Sequence, residues 1–243
     1  LNENVEVNIE DIVEIYPIKN SFFTRLSGNF SLGANYSKGS NVATLNFAGN
    51  IDYRKRNSGY SLVWDTNDTY QGDSLSASKS DVSLSWQRSL NKGWSADLAV
   101  GVSKNLQLGT DRRWNINAMG IKDFAYNEWN RFYAAAGLNA SKEIPVGDGE
   151  IQNDLAGIFQ LKWKVYKLKG DKIWLDADIT YLPYLTQSGR NRVNINLNPK
   201  ISLFSNNFKV GFNFYYTYDS QPQNESASND DYGLNLQFTY SLN

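Results

Sequence analysis

Apolar and polar residues alternate along nearly the whole chain. In Phe208-Lys-Val-Gly-Phe-Asn-Phe-Tyr-Tyr-Thr-Tyr218 the even positions are apolar or aromatic, and most odd positions are small or polar. After a polar loop the alternation resumes, with Tyr232, Leu234, Leu236, Phe238, Tyr240 and Leu242 on one parity and Gly233, Asn235, Gln237, Thr239 and Ser241 on the other. Successive side chains of a strand point to opposite faces, so each segment predicts a strand with one apolar and one wet face. The pattern predicts about twelve strands, at 22–37, 42–56, 59–71, 79–90, 94–107, 112–125, 130–144, 150–167, 172–185, 190–204, 207–219 and 230–242. Turn chemistry separates them at Lys38–Asn41, Asn57–Gly59, Asn91–Gly93, Lys169–Asp171 and Ser205–Asn207. Connections near 57, 92, 127, 169 and 206 read as tight. Those near 75, 147, 188 and 225 read as longer and richer in Gly, Ser, Asp and Asn.

Periodicity alone leaves two folds open, because a soluble lipocalin-like barrel carries the same alternation with its faces exchanged. Three features favour a transmembrane β-barrel. The strands run to about 11–16 residues, against about 5–6 for soluble strands and at least ~9–11 for spanning ones. The polar face is mostly Asn, Ser, Thr and Gln. Aromatics collect at strand ends: Tyr36, Tyr70, Tyr181, Tyr218 and Tyr232 would form an outer girdle, and Tyr53, Tyr60, Trp94, Phe132, Phe208 and Tyr240 a periplasmic one. An even strand number with alternating loop lengths places both termini in the periplasm. Pro183 and Pro199 fall inside predicted strands, where a closed barrel has no edge to hide a missing donor, so bulges or fraying are expected.

Composition adds little. The 243 residues carry a net charge of −1, which gives no case for nucleic acid, and no cysteine. No apolar run approaches the ~18 residues of a membrane helix, and a mean hydropathy of −0.52 is compatible with a barrel. Residues 1–20 hold five acids (Glu3, Glu6, Glu10, Asp11, Glu14) against Lys19. They read as a periplasmic lead-in, the remnant of a small N-terminal domain, before a barrel over 21–243.

The candidate chemistry is sparse. Histidine is absent, and proton transfer near neutral pH favours a group of that type, so Ser-His-Asp and Asp-His sites are excluded. No catalytic residue, cofactor site or metal site is expected. Asp176 and Asp178 share one strand face about 7 Å apart. A turn at 168–171 would fold Lys164 opposite Asp176 and Lys162 opposite Asp178, which predicts a lumenal charge ladder. Arg25, Asp52 and Arg54 would form a similar group at the periplasmic mouth. Inward Arg131 and Lys200, with Asp65, Asp97, Asp123 and Asp154, complete a charge-paired, mostly closed interior. Asp148/Glu150 and Asp230/Asp231 lack the ordered spacing of a calcium loop and read as solvated loop tips. Asn-x-Ser/Thr triplets at Asn35, Asn67, Asn139 and Asn224 read as accidental. Ala118, Gly120, Ala134 and Ala136 form a smooth outward patch.

Several motifs carry a family resemblance. Arg25-Leu-Ser-Gly-Asn-Phe-Ser-Leu-Gly-Ala-Asn-Tyr-Ser-Lys-Gly-Ser-Asn41, Asn46-Phe-Ala-Gly-Asn50, Trp86-Gln-Arg88 and the Asp123–Arg131 segment with its Trp129-Asn-Arg131 resemble the salt-induced outer-membrane protein family. Asp11-Ile-Val-Glu-Ile-Tyr-Pro17 resembles the region preceding the barrel in Bacteroidota-type members. The likeness spans roughly residues 10–243 and implies a bacterial outer-membrane location without supplying a catalytic residue. The expectation is a non-enzymatic structural or accessory barrel, with a narrow passive pore as the alternative. The expected partners are membrane lipid and lipopolysaccharide, with other outer-membrane proteins as further candidates and no nucleic acid.

Overall fold

A computed structural model describes residues 22–127, 129–168, 173–205, 207–222 and 227–242. The acidic lead-in, the Lys169–Asp171 turn, Asn206 and Asn224 lie outside them.

After a short 3-10 turn at Phe23–Arg25, twelve strands follow: β1 Leu26–Ser37, β2 Val42–Arg54, β3 Ser58–Gln71, β4 Ser74–Ser89, β5 Trp94–Asn105, β6 Thr110–Tyr126, β7 Asn130–Pro145, β8 Gln152–Leu168, β9 Ile173–Pro183, β10 Asn191–Ser205, β11 Phe208–Asp219 and β12 Asp230–Leu242. Each pairs antiparallel with its sequence neighbours, and β12 returns to β1 to close the barrel. Both ends of the barrel strands, Leu26 and Leu242, lie at the rim that carries the turns after β2, β4, β6, β8 and β10. We term this the turn end and the opposite rim the loop end.

The two faces settle the choice left by periodicity. Outward positions are apolar and exposed, among them Leu45, Phe47, Leu62, Leu84, Leu98, Ile116, Leu138, Phe159, Leu161, Ile179 and Leu236. Buried positions are largely polar, including Asn46, Asn67, Asn105, Asn139, Thr180, Thr217, Asn235, Gln237 and Thr239. A water-soluble barrel buries its apolar residues; this one turns them out and satisfies its backbone through ladders without a free edge. The fold is a transmembrane β-barrel, and the lipocalin-like alternative is set aside. Asn67 and Asn139 face inward, so their glycosylation-like triplets are inaccessible.

Two expectations about strand limits need correction. The first strand begins at Leu26 rather than residue 22, because Phe23–Arg25 forms the 3-10 turn. The connection near 75 is not long. Gln71 pairs with Ser74 across Gly72 and Asp73, with Gly72 at φ +62, the position a tight hairpin reserves for glycine. The serine-rich run after it looks like a loop by composition. It stays in the ladder because Ser76 donates to the Thr69 carbonyl and Ser78 to Asp68. Loop-length asymmetry therefore rests on the later loops, 146–151, 184–190 and 220–229.

The prolines behave differently from one another. Pro183 ends β9, which suits its missing donor. Pro199 lies within β10 without a register shift. Pairing with β11 holds at Leu197↔Phe214 and resumes at Lys200↔Gly211, so the ladder is interrupted in place. Gly211 accommodates the resulting approach, since a Cβ there would run into the Pro199 carbonyl oxygen.

The closing seam is short. β1 and β12 pair from Gly28↔Leu242 to Leu32↔Phe238 only. Beyond that, inward side chains of β12 reach over the small residues of β1, Gln237 donating to Asn46 (3.0 Å) and Asn235 to Asn67 (2.6 Å).

A charged lumen closed by an ionic knot

The turn end opens on a wet, charged vestibule. The β8–β9 register sets Lys162 opposite Asp178 and Lys164 opposite Asp176. Lys164 Nζ stands 4.0 Å from Asp176 Oδ1, and the two side chains remain 39% and 49% exposed. Asn196 donates to Asp178 (3.1 Å). Nearby, Arg131 grips Asp123 with Nε and Nη2 (2.6 and 3.2 Å) and lies over Tyr126 and Tyr133. Lys209 sits 3.8 Å from the centroid of Trp174, whose indole N–H donates to Ser202. Leu26 pairs with Tyr53, so Arg25, Asp52 and Arg54 stand at this same mouth, where Asp52 accepts from Asn50.

Charge is unevenly divided around the wall. From β12 round to β5 the inward charges of the wall are Asp231, Asp52, Asp65, Asp81 and Asp97 against Lys79, with Arg25 and Arg54 added at the turn-end mouth. Lys79 bonds Asp81 (3.8 Å) and crosses from β4 to β11, where its ammonium lies 4.1 Å from the Tyr215 centroid. The lysines and arginines otherwise concentrate on β6 through β11.

Toward the loop end the lumen fills. Asn105 of β5 donates to Asp231 of β12 (2.9 Å), and Ser228 N donates to the Gln107 carbonyl, joining two loops over the mouth. Leu108 is buried beneath them. The densest feature is a knot around Arg190, which the loop after β9 delivers into the barrel with its side chain 1% exposed. Arg190 donates to Asp219 through Nε and Nη2 (3.0 and 2.7 Å), to Glu143 (3.0 Å), Asp154 (3.5 Å), Gln152 and Gln187 (3.3 Å each). Tyr184 lies 4.4 Å from its guanidinium carbon. Thr110 caps Glu143 (2.5 Å), Arg192 reaches Asp219 at 4.0 Å, and Arg113 donates to Asn139 and Ser141. Three guanidiniums thus meet three carboxylates out of water. Buried charge is tolerated on those terms, and a planar five-donor fork suits the hub.

Of the charged groups in the knot, only Asp154 is expected inward from the sequence. Arg113, Glu143, Arg192 and Asp219 share the inward parity of Asn115, Ser141, Asn194 and Thr217, so extending the alternation to the strand ends would have found them. Arg190 lies one residue outside β10, and no periodicity reaches it.

The girdle residues stand as follows. Tyr36, Tyr181 and Tyr232 are exposed at the loop end, Tyr70 and Tyr218 half-buried there. At the turn end Tyr53 packs on Tyr60 and Phe208 on Phe238, while Phe132 meets Phe124; Trp94 and Tyr240 are exposed. Gly120 pairs with Ala136 and Ala118 with Leu138, so the small-residue patch faces outward. Asp148 and Glu150 are exposed in loop 146–151, Asp230 accepts from Ser228 and Asp231 from Asn105.

Fold and lumen together define the class, an integral membrane β-barrel with a polar, largely filled interior. Over residues 30–242 the chain matches the family described as "Protein of unknown function, DUF481", and it belongs to that family. Among solved structures it is similar in fold to the NanC porin (8% identity, 90% of this chain and 99% of that one, TM-score 0.48). It is also similar to the KdgM porin (8% identity, 89% and 99%, TM-score 0.46) and to the β domain of the Bordetella autotransporter BrkA (12% identity, 89% and 97%, TM-score 0.41). No curated protein matches the chain.

Proposed function

We propose that this protein is a non-enzymatic outer-membrane barrel that serves as a structural or accessory component and keeps its lumen shut at rest. The observation that carries this is the Arg190 knot, backed by side chains that bridge opposite walls at the loop end. Barrels of about eight strands have filled interiors, whereas those of sixteen hold open channels. At twelve strands, filling depends on the side chains present, and here they span the gap. Both termini would then be periplasmic and the loop end would face outward, with the barrel a Bacteroidota-type relative of the salt-induced outer-membrane proteins.

A narrow pore is the second reading. The exposed Lys164–Asp176 pair favours it, since a water-filled vestibule is half of a conduction path. Mild-detergent isolation of the native protein, together with recordings on the purified chain in planar bilayers, separates the two. Stoichiometric partners and a silent bilayer support the accessory role. A steady conductance that changes in the Asp176→Asn/Asp178→Asn variant supports the pore.

A further inference from the structure

The outward tyrosines of the loop end stand on β1, β3, β9, β11 and β12. On β5, β6 and β7 the corresponding outward places hold Lys104, Arg112 and Lys142 instead. Trp114 pairs with Val102 on one side and with Lys142 on the other. Lys104 lies two residues after Val102 and Arg112 two residues before Trp114, each on the same face and about 7 Å further toward the loops. The three cations therefore form one cluster across adjacent strands. None has an ion-pair partner among the described residues, although Asp111 is the extra residue beside Arg112 and Asp148 and Glu150 lie in the neighbouring loop. Lys122, which faces outward at the turn end, is by contrast bonded to the Lys92 carbonyl and set against Trp94.

Directly below the cluster the outer wall bears a groove of about 790 Å³. Its floor is Leu62, Val82, Leu84, Val100, Ile116 and Leu155, and Lys142 with Asn153 and Thr186 forms its polar upper edge. It extends from β3 to β8, about 24 Å at the ordinary strand spacing, room for several acyl chains side by side. A lysine or arginine costs little near the interface of a barrel and far more at the midplane, so the cluster sits where a headgroup would meet it.

We propose that this face is a binding site for a phosphorylated, multi-acyl glycolipid, whose phosphates engage Lys104, Arg112 and Lys142 and whose chains fill the groove. Guanidinium and ammonium groups without partners supply the donors that phosphate oxygens require. The leaflet assignment rests on the outward orientation of the loop end proposed above. The site itself is independent of whether the lumen conducts.

The test titrates the whole protein, in phosphatidylcholine nanodiscs, with diphosphoryl lipid A, its dephosphorylated form and phosphatidylglycerol. Each basic residue near a charged lipid surface contributes roughly a fivefold factor, so Lys104→Gln, Arg112→Gln and Lys142→Gln together should weaken diphosphoryl lipid A binding roughly a hundredfold. Ala140→Trp, which fills the groove and leaves the cations, should weaken it about tenfold with an unchanged far-UV circular dichroism spectrum. Arg190→Ala should leave this affinity untouched even if it opens the lumen, which keeps the two proposals separable. Equal binding of phosphorylated and dephosphorylated glycolipid, or a triple variant that binds like the parent, would overturn the site. Phosphatidylglycerol binding as tightly as lipid A would overturn the glycolipid assignment.

Discussion

Arg190→Ala is the perturbation that most directly probes the knot. The substitution removes donors to Asp219, Glu143, Asp154, Gln152 and Gln187 in one step. Glu143 and Asp219, each 1% exposed in their side chains, are left with Arg192, whose Nη1 is 4.0 Å from Asp219, and with Arg113, which is already bonded to Asn139 and Ser141. Breaking a buried pair by deleting one partner costs about 3–5 kcal/mol. The residual cations and water entering the vacated space place the expected loss near the lower figure, about 3 kcal/mol, or roughly a hundredfold in the unfolding equilibrium. Arg190→Lys keeps the charge and loses the planar fork, so it should fall between variant and parent. Asp176→Asn is the control: its pair with Lys164 is half-exposed, and such pairs contribute about 0–1 kcal/mol. Urea unfolding in lipid vesicles, followed by tryptophan fluorescence, reads all three. The reasoning fails if Arg190→Ala unfolds at the parent's urea midpoint, or if Asp176→Asn costs as much.

Two further substitutions probe the barrel wall. Leu98→Arg places a guanidinium on the lipid face near the middle of β5 and should cost about 2–4 kcal/mol in the same assay; an unaffected variant would mean that the faces have been assigned the wrong way round. Gly211→Ala should cost about 1–3 kcal/mol by forcing β11 away from the Pro199 carbonyl, measured by vesicle refolding yield and urea midpoint, and a neutral result would show that the interrupted ladder has slack.

Much of the wall was legible because a period of two is hard to disguise over strands this long. β2, β5, β7 and β12 begin at the predicted residues. The misses have physical causes. Ser74–Ser78 looks like loop by composition, and only the side-chain bonds of Ser76 and Ser78 show why it pairs. Pro199 suggests a bulge, yet the strand holds its register and omits bonds locally, a tolerance that depends on Gly211 of the facing strand. The interior was harder. Lys162, Lys164, Asp176 and Asp178 could be placed from one hairpin register, because each pair lies on adjacent strands. The knot joins β6, β7, β8, β10, β11 and a loop, and local periodicity carries no information on which loop folds inward. The basic cluster on β5–β7 is hidden in the sequence for a different reason: its three cations lie far apart along the chain, and the gap in the outer girdle becomes visible only when the strands are set side by side.

The central claim is that the loop-end side chains shut the lumen, and single-channel recording of the purified protein in planar bilayers tests it most directly, with the parent and Arg190→Ala measured side by side. The account predicts a silent parent and openings that appear when the knot is removed. Steady conductance through the parent, unchanged in Arg190→Ala, would contradict it.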